Sequence, residues 1–175
     1  MIGLPRSKGL RTRLRGLIVA ACLACSGLLA GTGTVHAEDG YALWLRYPPL
    51  STSHKAAVSP HAMGLLVADA SPTGIVTRDE LVRGLGGMLG VATPLLGKVE
   101  RDGVIVVGTP ASLPSLARFK TALAGLGSDG YLIRETTLDG HAAIVVAANS
   151  DVGALYGAYH LLRLLQTGHA LTGLH

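Results

Sequence analysis

Residues 147–168, AANSDVGALYGAYHLLRLLQTG, constrain the fold of this chain more than any other stretch. They carry the end of an apolar run through a short polar turn into one long helical pattern. Leu155, Ala158, Tyr159, Leu162 and Leu165 form a stripe that Leu161 and Leu164 widen, and His160, Arg163 and Thr167 beside Tyr156 leave only a narrow polar seam. A helix on one sheet needs roughly a third of its circumference apolar. The pattern therefore predicts cover from a second side, and unusual exposure of Leu161, Leu164 or their neighbours where that cover is absent. Asn149 or Ser150 is placed to cap the opening turn, and Gly168 to end the helix in a left-handed conformation.

Composition is informative only after the first segment is set aside. Residues 1–15 contain Arg6, Lys8, Arg11, Arg13 and Arg15 and no acid, and residues 16–30 are an uninterrupted small and apolar run. Val35 and Ala37 then occupy the −3 and −1 positions of a cleavage site before Glu38. This is the pattern of a secretory signal peptide over residues 1–37, with an apolar run short of the roughly 20 residues of a membrane span. Removing 37 of the 175 residues leaves 138, in which ten Lys and Arg face eleven Asp and Glu, a net charge of −1. The sequence pI of about 9.3 thus belongs mostly to the leader, and no basic patch interleaved with aromatics points to nucleic acid. Both cysteines, Cys22 and Cys25, lie in the apolar run, so a mature chain starting at Glu38 has neither a disulfide framework nor thiolate chemistry. The run Val19 to Cys22, VAAC, loosely matches a lipoprotein processing box. A lipoprotein anchored through Cys22 is the alternative to a periplasmic or secreted protein cleaved after Ala37, which is free of the membrane.

The remaining pattern predicts an α/β (α+β) domain with a mixed sheet and packed helices. Residues 42–48 (ALWLRYP) read as a strand ended by Pro48 and Pro49. Residues 50–62 have weak periodicity and at most one irregular helical turn. Residues 63–69 (MGLLVAD) read as a short strand, followed by a Ser71-Pro72-Thr73-Gly74 turn. A helix is expected to start at Thr77, with Glu80 completing a capping box. In that helix Gly84, Gly86 and Gly87 mark close packing or an early end. VIVVG (residues 104–108) suits a central strand covered on both faces. Leu116, Phe119, Lys120 and Leu123 lie at helical spacing within residues 113–123. GYLIRETTL (residues 130–138), Asp139-Gly140 and AAIVVAA (residues 142–148) form a hairpin, which forbids a purely parallel sheet.

Reactive groups are sparse. There is no Gly-x-Ser-x-Gly elbow, and GLGGMLG (residues 84–90) does not follow a strand directly and lacks the Lys-Ser/Thr of a phosphate loop. The histidines at 54, 61, 141, 160, 169 and 175 show no His-x-x-x-His spacing. His54 and His61 fit a solvated loop, and His160 a packing or interface position. A glycosidase-type pair of carboxylates is not evident either. Asp79 and Glu80 are accounted for by capping, Glu100, Asp102, Asp129 and Asp139 sit in turns, Asp151 opens the last helix, and Asp69 follows a strand without an evident partner. Trp44, with Tyr41 and Tyr47 nearby, fits a core position better than a sugar platform. No catalytic, substrate-binding, cofactor or metal residue is assigned.

DGYALWLRYPPL (residues 39–50), RDELVRGLGGMLG (residues 78–90), DGYLIRETTLDG (residues 129–140) and AANSDVGALYGAYHLLRLLQTG resemble, in this order, the N-terminal domain of glycoside hydrolase family 67 α-glucuronidases. The resemblance implies an N-terminal α/β domain over residues 38–168, with residues 169–175 opening a linker to a catalytic (β/α)₈ barrel. It also implies removal of α-1,2-linked (4-O-methyl)glucuronic acid from xylo-oligosaccharides, with inversion and without a metal or other cofactor. The catalytic carboxylates of that family belong to the barrel, so no catalytic residue carries over to this chain, which is expected to be a fragment inactive alone. Its expected partner is the barrel, in cis or as a separate chain, and xylo-oligosaccharide only through the barrel. On this reading the second apolar side of the last helix is a junction with the barrel. A stand-alone module binding sugar or a partner, and an accessory domain of another exo-glycosidase such as a hexosaminidase, are the alternatives. The LLRLLQTG ending and YALWLRYPPL opening favour the glucuronidase.

Export with cleavage gives a mature protein whose first residue is Glu38, which N-terminal sequencing of the exported chain reads directly. A start at Cys22 would establish the lipoprotein route instead, and retention of Met1 would overturn both.

Overall fold

The computed structural model describes residues 46–169. The expected strand segment at residues 42–45, Trp44 and the leader lie outside the described residues, as do residues 170–175.

A four-stranded mixed sheet organises the domain: β1 (Gly64–Val67), β2 (Val104–Gly108), β3 (Tyr131–Leu138) and β4 (His141–Ala148), in the order β1-β2-β4-β3. β1, β2 and β4 run parallel, with Leu65 beside Ile105 and Ile105 beside Ile144, and β3 returns antiparallel to β4. The hairpin turn has both central residues at positive φ, Asp139 at 51° and Gly140 at 88°. That is the twist-matched geometry the Asp-Gly pair favours. β2 and all but the first two residues of β4 are buried, because each is covered on both faces.

The two faces carry separate cores. Leu65, Ile105, Val107, Ile133, Ile144, Val146 and Ala148 point to the long helices. Leu66, Val104, Val106, Leu132, Val145 and Ala147 point to the other side, where Leu116, Phe119 and Leu123 cover them. Those three residues come from a 3₁₀ helix, Pro114–Phe119, that runs into a single α-turn, α3 (Lys120–Leu123). The segment thus departs from the single helix expected over residues 113–123. Leu113, Leu116 and Phe119 recur every third residue, and only a three-residue turn keeps such a row on one line.

Other boundaries also move. Residues 46–50 form no strand, and residues 52–61 are more ordered than their weak periodicity predicts. They form α1 (Thr52–Val58), capped by Ser51, and a 3₁₀ turn, Ser59–His61. The helix expected from Thr77 begins a turn and a half earlier, as α2 (Pro72–Leu89). Ser71 is its cap, accepting from the Gly74 N–H at 3.0 Å, and Pro72 occupies a first-turn position where a missing N–H costs nothing. Thr77 is interior: its buried hydroxyl donates to the Thr73 carbonyl. Gly90, at φ 70°, ends α2.

The last helix, α4 (Asp151–Thr167), is capped by Ser150 and ended by Gly168 at φ 72°. Its buried edge is Gly153, Ala154, Gly157, Ala158, Leu161, Leu162 and Leu165, three adjacent pairs four residues apart followed by a single leucine. Leu155, Tyr159 and Leu164 are only half-buried. The expected exposure of Leu161 is overturned: it is fully buried, in one cluster with Val58, Ala62, Leu81 and Leu85. The cover expected from outside comes at that position from within the chain. Exposed apolar side chains lie instead at the opening turns of the two long helices, Ile75 and Val76 on α2 and Val152 and Tyr156 on α4.

Glycines decide how closely these layers approach. A methyl at Gly157 would overlap Val146 of β4, and one at Gly84 would lie 2.7 Å from Leu162. By contrast, nothing stands within 4 Å of a methyl at Gly86. Replacing Gly157 with Ala is therefore expected to destabilise the domain by about 1–3 kcal/mol through overpacking. Replacing Gly86 with Ala should stabilise it, by up to about 1 kcal/mol of helix propensity. Chemical denaturation of both variants checks the opposite signs.

Candidate functional site

The most elaborate side-chain network among the described residues grows from three positions on α2. Glu80, Gly84 and Gly87 recur at i, i+4 and i+7 and so share one helix face. The two glycines leave that face grooved, and Tyr47 lies along it. Its backbone carbonyl would stand 2.7 Å from a methyl at Gly87, and its ring 3.3 Å from one at Gly84. Its hydroxyl donates to one carboxylate oxygen of Glu80. The other oxygen receives the Arg83 guanidinium, one turn on. Glu80 is only 5% exposed; a carboxylate buried this deeply is tolerable because each oxygen has a donor and one donor is charged. The surrounding chain is fastened as well. The Leu50 N–H donates to the Met88 carbonyl at 3.0 Å, and the Gln166 amide of α4 donates to the Arg46 carbonyl at 3.1 Å.

The phenol of Tyr47 is held well above its ordinary pKa, first by burial and then by its hydrogen bond to Glu80. Burial and the charge of Glu80 also push Tyr159 up, on the adjacent face of α4. Both phenols are therefore proton donors at neutral pH. Sequence reasoning gave Glu80 to a capping box and Tyr47 to a strand, and so missed this network. The recoverable signal was the Glu-x-x-x-Gly-x-x-Gly spacing beside Arg83, a groove with an acid at one end.

The other titratable groups are dispersed. Asp69, without an evident partner in the sequence, pairs with Arg78 at 2.7 Å, and Arg78 also holds Asp79. This pair borders a concavity of about 560 Å³ between the end of β1 and the apolar side chains of Leu95, Leu96 and Leu113. Asp151 accepts from the cap residue Ser71 at 2.6 Å, joining the starts of α2 and α4, and Asp129 accepts from Ser150. His61 sits 3.5 Å from Glu135, and His141 3.4 Å from Asp102. His54 belongs to α1 and lies against Gly168 rather than in a loop. His160, exposed on α4, meets the Tyr131 hydroxyl at 3.0 Å with the rings edge to face. Among the described residues no three His, Cys, Asp or Glu side chains converge as metal ligands, and no helix is long and apolar enough to cross a membrane. Within residues 84–90, Gly84 packs against Leu162 and Tyr47 and Gly87 against Tyr47, as close packing predicts, whereas Gly86 faces open space and Gly90 ends α2.

An α/β domain with a β1-β2-β4-β3 sheet, two long helices on one face and a fastened entry segment defines the class, and the comparison with known families gives it a place. Residues 43–161 match the family described as glycosyl hydrolase family 67 N-terminus, and the chain belongs to that family. It is 31% identical over 147 residues to the probable alpha-glucuronidase A of Aspergillus fumigatus, covering 81% of this chain and 17% of the relative. It is 30% identical over 146 residues to alpha-glucuronidase A of Emericella nidulans, covering 80% and 16%. The alpha-glucuronidase of Hypocrea jecorina is 29% identical over 148 residues, covering 81% and 17%. The chain thus spans about a sixth of the length of the curated relatives it matches.

Removing the Tyr47 hydroxyl leaves one buried oxygen of Glu80 without a donor. Tyr47→Phe is expected to cost about 1–3 kcal/mol near neutral pH. The raised pKa sets the pH dependence. The folded state keeps the phenol proton that the unfolded chain releases near pH 10, so the contribution is complete below that pH and is lost as pH rises above it. Denaturation from pH 7 to 11 should show a wild-type advantage that is constant at first and narrows beyond about pH 10. A constant gap would contradict this role.

Proposed function

We propose that this chain serves as the non-catalytic N-terminal domain of an α-glucuronidase that acts on xylan. The enzyme hydrolyses α-1,2-linked (4-O-methyl)glucuronic acid from xylo-oligosaccharides, and a barrel domain, in the same polypeptide or as a separate chain, supplies the catalytic carboxylates and most of the contacts to substrate. The observation that carries this reading is the alignment: most of this chain matches a sixth of several α-glucuronidases, over the span of the family 67 N-terminus. The disposition of acids agrees with it. Inverting hydrolysis needs two carboxyl groups facing each other across a cleft at about 6.5–9.5 Å, one held as an acid. Here Glu80 is closed in by Tyr47 and Arg83, Asp69 is held by Arg78, and Asp151 by Ser71. The protein works outside the cytoplasm, exported by residues 1–37.

The purified chain is expected to release no glucuronic acid from aldouronic acids above a buffer blank, while the same domain joined to its barrel turns them over. Clear turnover by the chain alone would overturn its non-catalytic role.

A further inference from the structure

Outside the Tyr47–Glu80 network, the side chains of Tyr47, Tyr159, Arg163, Gln166 and Thr167 line an open cup of about 330 Å³, the lower end of the roughly 300–1,000 Å³ typical of small-molecule sites. Its charges do not cancel. Glu80, beneath it, is answered by Arg83, whereas Arg163 of α4 has no ion-pair or hydrogen-bond partner among the described residues. Tyr159 lies four residues earlier on the same helix face, and its hydroxyl likewise has no partner among those residues. Burial and the nearby carboxylate keep that hydroxyl protonated. The Gln166 amide nitrogen is committed to the Arg46 carbonyl, which leaves its oxygen as an acceptor. The Thr167 hydroxyl turns back to the Arg163 carbonyl. The cup therefore offers one guanidinium, one phenolic donor and one amide acceptor, flanked by two tyrosines.

We propose that this cup binds a uronic acid residue, with the carboxylate on Arg163 and Tyr159, a ring hydroxyl on the Gln166 oxygen and the apolar sugar face against the tyrosines. A guanidinium matches a carboxylate in a fork that neutral sugars cannot use, and tyrosine supplies flat apolar area with little ordering cost. The choice of an acidic sugar over other carboxylates rests on the α-glucuronidase reading. The cup is a binding subsite of this domain and takes no part in bond cleavage. Because the guanidinium is solvated, affinity is weak, with a Kd on the order of 1 mM.

The test is titration of the whole chain with sodium glucuronate at constant ionic strength, following the tyrosine ring signals by NMR. Glucose serves as the ring without the carboxylate, and acetate as the carboxylate without the ring. Saturable shifts of Tyr47 and Tyr159 are expected, at least ten-fold tighter for glucuronate than for either control. Arg163→Gln should weaken them ten-fold or more with an unchanged Tm, and Tyr159→Phe should weaken them about three-fold. Absence of saturation, equal binding of acetate, or binding unaffected by Arg163→Gln would each overturn the site. The two readings fail separately. No glucuronate binding, with α-glucuronidase activity intact in the barrel-bearing protein, removes the cup alone. Saturable binding without that activity removes the enzyme assignment and leaves the cup.

Discussion

The close seating of α4 on β4 is the contact on which the rest of this domain depends. Gly153 and Gly157 have no side chain at the two places where the helix comes nearest the sheet and its flanking turn, and Ala154 and Ala158 keep the neighbouring positions thin. Protein interiors are packed as densely as organic crystals, so an approach of this kind cannot be relaxed at one residue without moving the layer. The leucines one turn further on, Leu161, Leu162 and Leu165, then fill the wider space with Leu81, Leu85 and Met88 of α2. A fully buried leucine or methionine contributes about 1.5–3 kcal/mol, and these five leucines and one methionine in one layer dominate its cohesion.

A second close approach lies on the outer side of the same layer. Gly84 and Gly87 open a groove in α2 that Tyr47 occupies, and Glu80 at its end holds the phenol with Arg83 behind it. A buried acid is an expensive group to place, and its paired donors make it specific: only a hydroxyl reaching from the entry segment satisfies the inner oxygen. The same network keeps the two tyrosines beside α4 protonated and gives the uronate cup its floor. Packing, fastening and the proposed binding chemistry thus meet on one helix pair.

Membership in the family 67 N-terminus follows from residues spread over the whole domain rather than from a motif that performs chemistry. The stretches that resemble the family include several positions with steric duties. Gly84, Gly87, Gly153 and Gly157 permit approach, Gly90 and Gly168 end helices, and Asp139-Gly140 turns the hairpin. Shape is what these residues specify, and in the proposed enzyme it is a shape that accompanies a catalytic domain.

Local chemistry in the sequence determined the mixed sheet, the hairpin at Asp139-Gly140, the central position of β2 and β4, and the limits of α4. Continuous apolar runs, turn glycines and caps act over a few residues and need no partner to be read. Boundaries failed where two signals competed: Ser71-Pro72 starts α2 although Thr77 and Glu80 spell a capping box, because Glu80 is required inward by Tyr47, 33 residues away. Which side of α4 faces inward was likewise undecidable from its leucines. The deciding feature is the Gly-Ala pair repeated four residues apart, and its meaning depends on how near β4 stands. The partner of Asp69, the burial of Leu161, and the meeting of Tyr47 with Tyr159 and Arg163 in one cup belong to tertiary structure alone. Each joins residues whose separation in sequence carries no information about their distance in space.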